Sequence, residues 1–136
     1  MTSVFIDTQC LIAANVRRDI KHVKAITLLN DYERANYALV TTDSIVIEFC
    51  NMLSRVSLRT RASRIVAQLR SNGNVEIVHV TRELLDRAQK LYDSRSDKEW
   101  GLTDCISFEV MRERKIKLAL TADHHFAQAG FTALLA

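Results

Sequence analysis

Glycine and cysteine are both scarce in this chain, and their scarcity excludes several classes of protein. Only three glycines occur among the 136 residues, so the glycine-rich phosphate turn of a Rossmann or P-loop nucleotide-binding site is missing. The three cysteines, Cys10, Cys50 and Cys105, lie far apart and form no CxxC pair. This pattern argues against a disulfide framework or a zinc ribbon and predicts reduced, mostly buried thiols.

Long apolar runs are missing as well. No segment approaches the ~20 apolar residues that cross a bilayer, and Asp7 interrupts an N-terminal apolar stretch that lacks the basic start of a secretory signal. We therefore expect no membrane association and a cytoplasmic location. The apolar fraction of 48% and the charged fraction of 26% are ordinary for a globular protein, so residues 1–136 are predicted to form a single domain.

Short apolar runs alternate with helical patterns along the chain. Strands are predicted at residues 3–6, 38–42, 75–80, 118–121 and 131–134. Residues 21–34 keep apolar side chains at helical spacing, and Thr81 is predicted to cap a later helix. Strands that alternate with helices predict an α/β fold, a three-layer α/β/α sandwich around a mostly parallel sheet of about five strands.

Two aspartates follow predicted strands. Asp7 comes directly after the first strand, and Asp123 follows LALT by one residue. Because ligands of open parallel sheets bind beyond the carboxyl ends of the strands, where the chain order reverses, both acids are predicted to lie at one rim. The alternative is that each aspartate simply caps the helix that follows it.

Glu48 lies inside the apolar segment SIVIEFCNML. Whether this segment forms a helix or a strand, the carboxylate is predicted to be drawn toward the interior. A buried charge requires a cation, hydrogen bonds or a shifted pKa, so Glu48 is a candidate site residue. The alternative is a structural ion pair with an arginine.

Asp104 is the fourth candidate acid. It opens the segment TDCISFEVM and shares a helical stripe with Phe108 and Met111, which predicts a position on the core side near a positive helix end. Thr103 is predicted to be the N-cap of this helix. Asp97 is the alternative acid of the region, but its polar surroundings predict an exposed loop.

Four acids without a matching histidine or cysteine cluster predict a hard divalent cation, Mg²⁺ or Mn²⁺, rather than zinc. His22 and His79 are isolated in the sequence. His124 and His125 are adjacent and are predicted to point apart as exposed residues at a helix start, with a supporting role in substrate contact as the alternative.

A basic amphipathic segment occupies the interval between Glu48 and Glu76, which contains no acid. Its apolar residues alternate with Arg55, Arg59, Arg61, Arg64 and Arg70. Three interpretations remain open at this point: contacts to RNA phosphates, one half of a protein interface, or a solvated helix face.

The order of the four acids, in FIDTQCLIA, IVIEFCNML, TDCISFEVM and LTADHHFAQAGFTALL, resembles the PIN-domain family, and VapC-type toxins in particular, over nearly the whole chain. The resemblance implies five parallel strands and a metal-dependent ribonuclease that leaves 5′-phosphate and 3′-hydroxyl ends. It also implies an antitoxin protein as partner and a homodimer. The alternative is a PIN-like module that binds RNA or protein without cutting.

Specific residues carry these implied roles. The implied catalytic acids are Asp7, Glu48, Asp104 and Asp123, of which the three aspartates would hold the metal, and Thr121 and Thr8 would be supporting hydroxyls. Gln9 departs from the small polar residue of many relatives, which puts the hydrogen bonding next to the metal in question.

Overall fold

A single parallel sheet forms the centre of the computed structural model, which describes residues 2–136. Its strands are β1 Ser3–Ile6, β2 Ala38–Thr42, β3 Val75–Val78, β4 Leu118–Leu120 and β5 Thr132–Ala133. They pair in parallel in the order β3-β2-β1-β4-β5. The α/β fold predicted from the sequence is confirmed. The predicted domain also includes Met1, which lies outside the described residues.

Three strands are shorter than predicted, and at the ends of two of them a backbone amide bonds elsewhere. The Val80 amide donates to the carboxylate of Asp43 at 3.3 Å instead of extending β3. The Thr121 amide turns back to the carbonyl of Ala119 at 3.0 Å, so β4 ends at Leu120. The last strand keeps only Thr132 and Ala133 of the four residues predicted for it.

The helices are α1 Thr8–Asn15, α2 His22–Arg34, α3 Asp43–Met52, α4 Val56–Ser71, α5 Arg82–Ser94, α6 Leu102–Glu113 and α7 His124–Gln128. The segment around Glu48 is therefore helical, and its strand alternative is wrong. The predicted cap at Thr81 is confirmed, since its hydroxyl accepts a hydrogen bond from the Leu84 amide at 3.2 Å.

The order of the strands places helices on both faces of the sheet. From β1 the chain moves outward to β2 and β3, and then crosses to β4 and β5 on the other side of β1. Because parallel crossovers are right-handed, α1–α4 and α5–α7 cover opposite faces. The change of direction leaves a crevice beyond the carboxyl ends of β1 and β4. There the Asp7 amide donates to the carbonyl of Leu120 at 3.3 Å.

A cluster of aromatic rings fastens α6 and α7 to this part of the sheet. The fully buried ring of Phe108 packs edge-on against Phe126 at 5.0 Å and against Trp100 at 5.1 Å. Phe126 in turn lies 6.3 Å from Phe5 of β1. These contacts stabilise the two helices whose first turns flank the crevice.

Within residues 2–136, no helix is both long enough and apolar enough to cross a membrane.

Candidate active site

A cleft of about 600 Å³ opens at the carboxyl end of the sheet, and all four acids singled out in the sequence line it. Asp7 follows β1, Glu48 lies on α3, Asp104 lies in the first turn of α6 and Asp123 immediately precedes α7. The fold therefore brings together carboxylates that are up to 116 residues apart in the sequence.

One threonine hydroxyl connects two of these acids. Thr121 is fully buried, and its Oγ1 donates to Oδ2 of Asp7 at 2.7 Å while accepting from the Asp123 amide at 3.0 Å. Asp7, only 5% exposed, occupies the N-cap position of α1 with its side chain directed to Thr121. Asp123 does act as a cap, because its Oδ1 accepts from the His125 amide at 2.9 Å, and it lines the cleft as well.

Glu48 is half-buried rather than buried as predicted, because α3 presents it to the cleft wall. The buried hydroxyl of Thr8 donates a hydrogen bond to its Oε1. No arginine of the described chain forms an ion pair with Glu48, so the alternative of a structural arginine pair is wrong. The two hydroxyls, Thr8 and Thr121, thus each hold one carboxylate in place.

Asp104 lies at the third position of α6, and the N-cap of this helix is Gly101 rather than the predicted Thr103. The helix begins one residue before Thr103, and the Gly101 amide donates to Oδ2 of Asp104 at 3.1 Å. The side chain is therefore held at the positive end of the helix. Asp97 is exposed, pairs with Arg95 at 2.9 Å and does not line the cleft.

His125 is a cleft residue that sequence reasoning undervalued. Its Nδ1 lies 3.1 Å from Oδ2 of Asp104 and 3.3 Å from Oδ1 of Asp123, with only 18% of the side chain exposed. The prediction that His124 and His125 point apart is wrong, because their ring centroids are 4.5 Å apart. Oδ1 of Asp123 lies close to both imidazoles, and its distance to Nδ1 of His124 is 3.7 Å. The sequence signal was the position of both histidines directly after a candidate metal ligand.

Gln9, the departure from the family pattern, has a clear partner. Its Oε1 accepts a hydrogen bond from the Ala122 amide at 3.0 Å. This contact ties α1 to the loop that carries Asp123, so the longer side chain joins two walls of the cleft.

The carboxylates are close enough to influence each other's protonation. Burial raises the pKa of Asp7 to about 7; the hydrogen bond from Thr121 offsets part of this rise, and the charges of Asp104 and Glu48 add to it. Burial also raises the pKa of Asp104, and the charge of Asp123 contributes. Such mutual repulsion between desolvated carboxylates is relieved when a cation binds between them.

The residues present suit a divalent cation. Within the described chain, no lysine or arginine forms an ion pair with any of the four carboxylates, and the basic neighbours of Asp104 and Asp123 are histidines. Carboxylate and hydroxyl oxygens are ligands that hard cations prefer. Asp123, His124 and His125 also bring one ligand atom each to within 4.8 Å of one another. The donor set therefore fits a metal, with oxygen ligands predominating.

The basic segment forms α4 and its N-cap, Arg55, and the amphipathic prediction agrees with the burial of Ile65 and Val66. Val56, however, is 90% exposed and does not belong to the apolar face. Arg61 and Arg64 line a second cleft beside the C-terminal end of α1. The other arginines of the segment, Arg55, Arg59 and Arg70, are exposed and lie outside that cleft.

Comparison with known proteins agrees with this fold. The PIN domain family model matches residues 4–132. The 23S rRNA-specific endonuclease VapC20 of Mycobacterium tuberculosis is 28% identical over 128 residues, which cover 94% of this chain and 95% of that protein. The crystal structure of VapC20, a Sarcin-Ricin loop cleaving toxin, has a TM-score of 0.85 and covers 96% of this chain and 97% of its own. FitAcB from Neisseria gonorrhoeae shares the fold at 12% identity, with a TM-score of 0.66 over 96% of this chain and 94% of its own.

Proposed function

Because the chain belongs to the PIN domain family, we propose that it is an endoribonuclease that hydrolyses RNA phosphodiester bonds with the help of Mg²⁺ or Mn²⁺. The observation that carries this proposal is the convergence of Asp7, Glu48, Asp104 and Asp123 in one cleft without a lysine or arginine partner in the described chain. Its similarity to VapC20, named as an endonuclease, supports the same activity.

In this proposal the three aspartates hold the metal and Glu48 orients the attacking water. A bound divalent cation supplies Lewis acidity toward the phosphate and makes deprotonation of water easier. Thr121 holds Asp7 in its orientation, and the same hydroxyl fixes the backbone next to Asp123. Thr8 restrains Glu48. Cleavage is expected to leave a 5′-phosphate and a 3′-hydroxyl.

His125 acts as a positioning residue for the metal ligands. Its Nδ1 contacts Asp104 and Asp123 together, so it fixes the distance between a side chain of α6 and one that immediately precedes α7. Groups that orient metal ligands in this way typically affect metal affinity or activity by about 10- to 100-fold.

We further propose that the protein is the toxin of a toxin–antitoxin pair, acting as a homodimer in the cytoplasm, with residues 1–136 forming one PIN-like domain. The support is the similarity to VapC20, named as a toxin, over nearly the full length of both chains. Expression of the wild type, but not of an Asp7→Asn variant, is expected to arrest bacterial growth. Light scattering of the purified protein at several concentrations tests the dimer.

The direct test of the nuclease is cleavage of total RNA with Mg²⁺, Mn²⁺, Zn²⁺ or EDTA. We expect discrete fragments with Mg²⁺ or Mn²⁺, and none with EDTA or with the Asp7→Asn, Asp104→Asn double variant. Asp97→Asn is the matched control, because Asp97 is exposed and paired with Arg95 outside the cleft. A folded, partner-free wild type that cuts with none of the metals would instead favour a binding module without nuclease activity.

A further inference from the structure

A second cleft, of about 570 Å³, lies between the C-terminal end of α1, the loop that follows it and α4. Four arginines line it, Arg17 and Arg18 from the loop and Arg61 and Arg64 from α4, together with His22 at the start of α2. We call this surface the basic cleft. Arg17 and Arg18 were not singled out in the sequence, because the segment that contains them is neither long nor uniformly basic.

The loop that forms one wall is held by several hydrogen bonds. The Val16 amide donates to the carbonyl of Ile12 at 2.9 Å, and the Asp19 amide donates to that of Val16 at 3.0 Å. Nδ1 of His22 lies 2.7 Å from the carbonyl of Ala13. Arg17 and Arg18 are therefore presented from an ordered turn and both remain exposed.

The opposite wall is joined to α1 by one of its own arginines. Nη1 of Arg61 donates to the carbonyl of Asn15 at 3.3 Å, at the negative end of α1. Arg64 lies three residues further along α4 and is exposed. Both guanidinium groups consequently keep donors free for a ligand, because a guanidinium carries five N–H groups.

No acid lines the basic cleft, and within residues 2–136 none of its four arginines takes part in an ion pair. Elsewhere in the chain, Arg87, Arg95 and Arg112 each pair with a carboxylate. Four uncompensated guanidinium groups around one concave surface repel each other and attract a ligand with several negative charges. Phosphate groups match guanidinium geometry especially well.

The basic cleft adjoins the cleft that the four acids line, which we call the acidic cleft. Ala13 lines the acidic cleft and Ala14 lines the basic one. In the same way, Lys21 lines the acidic cleft and His22 lines the basic one. Consecutive Cα atoms are ~3.8 Å apart, so the rims of the two clefts lie next to each other at the end of α1 and at the start of α2. A strand whose scissile phosphate lies at the acids can continue across these rims into the basic cleft.

We propose that the basic cleft binds phosphates of the same RNA strand that is cut, on one side of the scissile bond. This inference rests on the proposed function for its ligand, an RNA long enough to span both clefts. The contacts are to backbone phosphates, so they favour length and shape of the RNA over base sequence. The proposal also divides the arginines of the α4 segment: Arg61 and Arg64 contact RNA, whereas Arg55, Arg59 and Arg70 do not.

The test measures binding of a fluorescently labelled RNA of about 20 nucleotides by anisotropy, in EDTA so that no cutting occurs, from 50 to 200 mM salt. Each phosphate of a single strand that the protein no longer neutralises reduces the steepness of log affinity against log salt by roughly 0.7. The Arg61→Gln, Arg64→Gln variant should therefore reduce the slope by about 1.4. Adding Arg17→Gln and Arg18→Gln should bring the reduction to about 2.8. Between 50 and 200 mM salt, the affinity of this four-arginine variant should then fall by a factor about 50 times smaller than that of the wild type.

The matched control is Arg70→Gln, Arg82→Gln, which removes the same charge as the double variant from exposed positions outside both clefts. Its slope should remain that of the wild type. A four-arginine variant that is folded by circular dichroism yet binds RNA with an unchanged slope would overturn the proposal. The proposal would also be overturned if the four-arginine variant no longer bound an acidic protein partner but still bound RNA as the wild type does. The basic cleft would then be a protein interface.

Cleavage of RNAs of two lengths separates this proposal from the nuclease assignment. The four-arginine variant should cut an oligonucleotide too short to reach the basic cleft as fast as the wild type does, and should lose the rate advantage on the 20-nucleotide RNA. If the wild type binds RNA with the expected arginine dependence but never cuts, the nuclease assignment fails and the basic cleft stands. If all variants cut both lengths equally, the nuclease assignment stands and the basic cleft fails.

Discussion

Replacing Asp7 by asparagine should abolish cleavage and, in the absence of metal, stabilise the protein at neutral pH. The wild-type carboxyl is 5% exposed, and burial raises its pKa from 3.8 to about 7. Across this interval the folded state binds more protons than the unfolded state, so stability falls as pH rises. The contribution of Asp7 to the free energy of unfolding comes from its protonated form in the folded state. It is fully present below about pH 4, declines up to about pH 7 and is absent above that pH.

The size of the effect follows from the same shift. A difference of about 3 pKa units, at about 1.4 kcal/mol for each unit, gives up to about 4 kcal/mol lost from the free energy of unfolding between pH 4 and pH 8. Asparagine avoids this loss because its neutral amide oxygen can accept the same hydrogen bond from Thr121. The free energy of unfolding of Asp7→Asn, relative to that of the wild type, should therefore increase steadily with pH.

The assay is urea unfolding, followed by circular dichroism, of the wild type, Asp7→Asn and the exposed control Asp97→Asn at pH 5, 6, 7 and 8 in EDTA. Adding Mn²⁺ at pH 8 should raise the free energy of unfolding of the wild type by about 2.7 kcal/mol when the Mn²⁺ concentration is 100 times the dissociation constant. The same addition should affect Asp7→Asn much less. Wild-type and Asp7→Asn stabilities that change in parallel from pH 5 to pH 8 in EDTA would refute the reasoning.

Three further predictions concern neighbouring residues. Thr121→Val should reduce single-turnover cleavage about 10- to 100-fold, because a hydrogen bond to a charged group contributes about 1.5–3 kcal/mol; an unchanged rate would remove Thr121 from the site. His125→Phe should raise the Mn²⁺ concentration for half-maximal cleavage about 10-fold, and an unaltered titration would contradict its positioning role. Phe126→Ala should lower the free energy of unfolding by about 3–5 kcal/mol in urea titrations, since its ring is fully buried; a loss below about 1 kcal/mol would show that this ring does not fasten α7.

The positions of Asp7 and Asp123 could be predicted from the sequence because each depends on local information. Both follow short apolar runs that form β1 and β4, and parallel strands direct their carboxyl ends to one edge of the sheet. Glu48 could be chosen because a charge within an apolar segment needs an explanation wherever the segment packs. Its actual partner, the hydroxyl of Thr8, lies 40 residues away and leaves no pattern in the sequence.

The start of α6 shows a different limit. Thr103 is a good N-cap residue by type, but the chain becomes helical after Gly101, and Asp104 closes the first turn from inside the helix. Capping preferences differ by about 1 kcal/mol between residue types. Trp100 and Phe108 pack edge-on and are both buried here, and burying one such side chain stabilises by about 1.5–3 kcal/mol, which is more than the difference between caps.

Local sequence patterns were sufficient for the class of the fold and for choosing four acids that the cleft brings together, because apolar periodicity, strand ends and a charge within an apolar segment are properties of neighbouring residues. The family was indicated by the resemblance of the four acid-bearing motifs, in their order, to those of known proteins. The folded chain was needed to find that His125 contacts two of those acids and that the basic arginine segment divides between two surfaces. Arg61 and Arg64 meet Arg17 and Arg18 because α4 packs beside the end of α1, more than 40 residues away in the chain. Long-range packing of this kind depends on the whole core, and no local pattern encodes it.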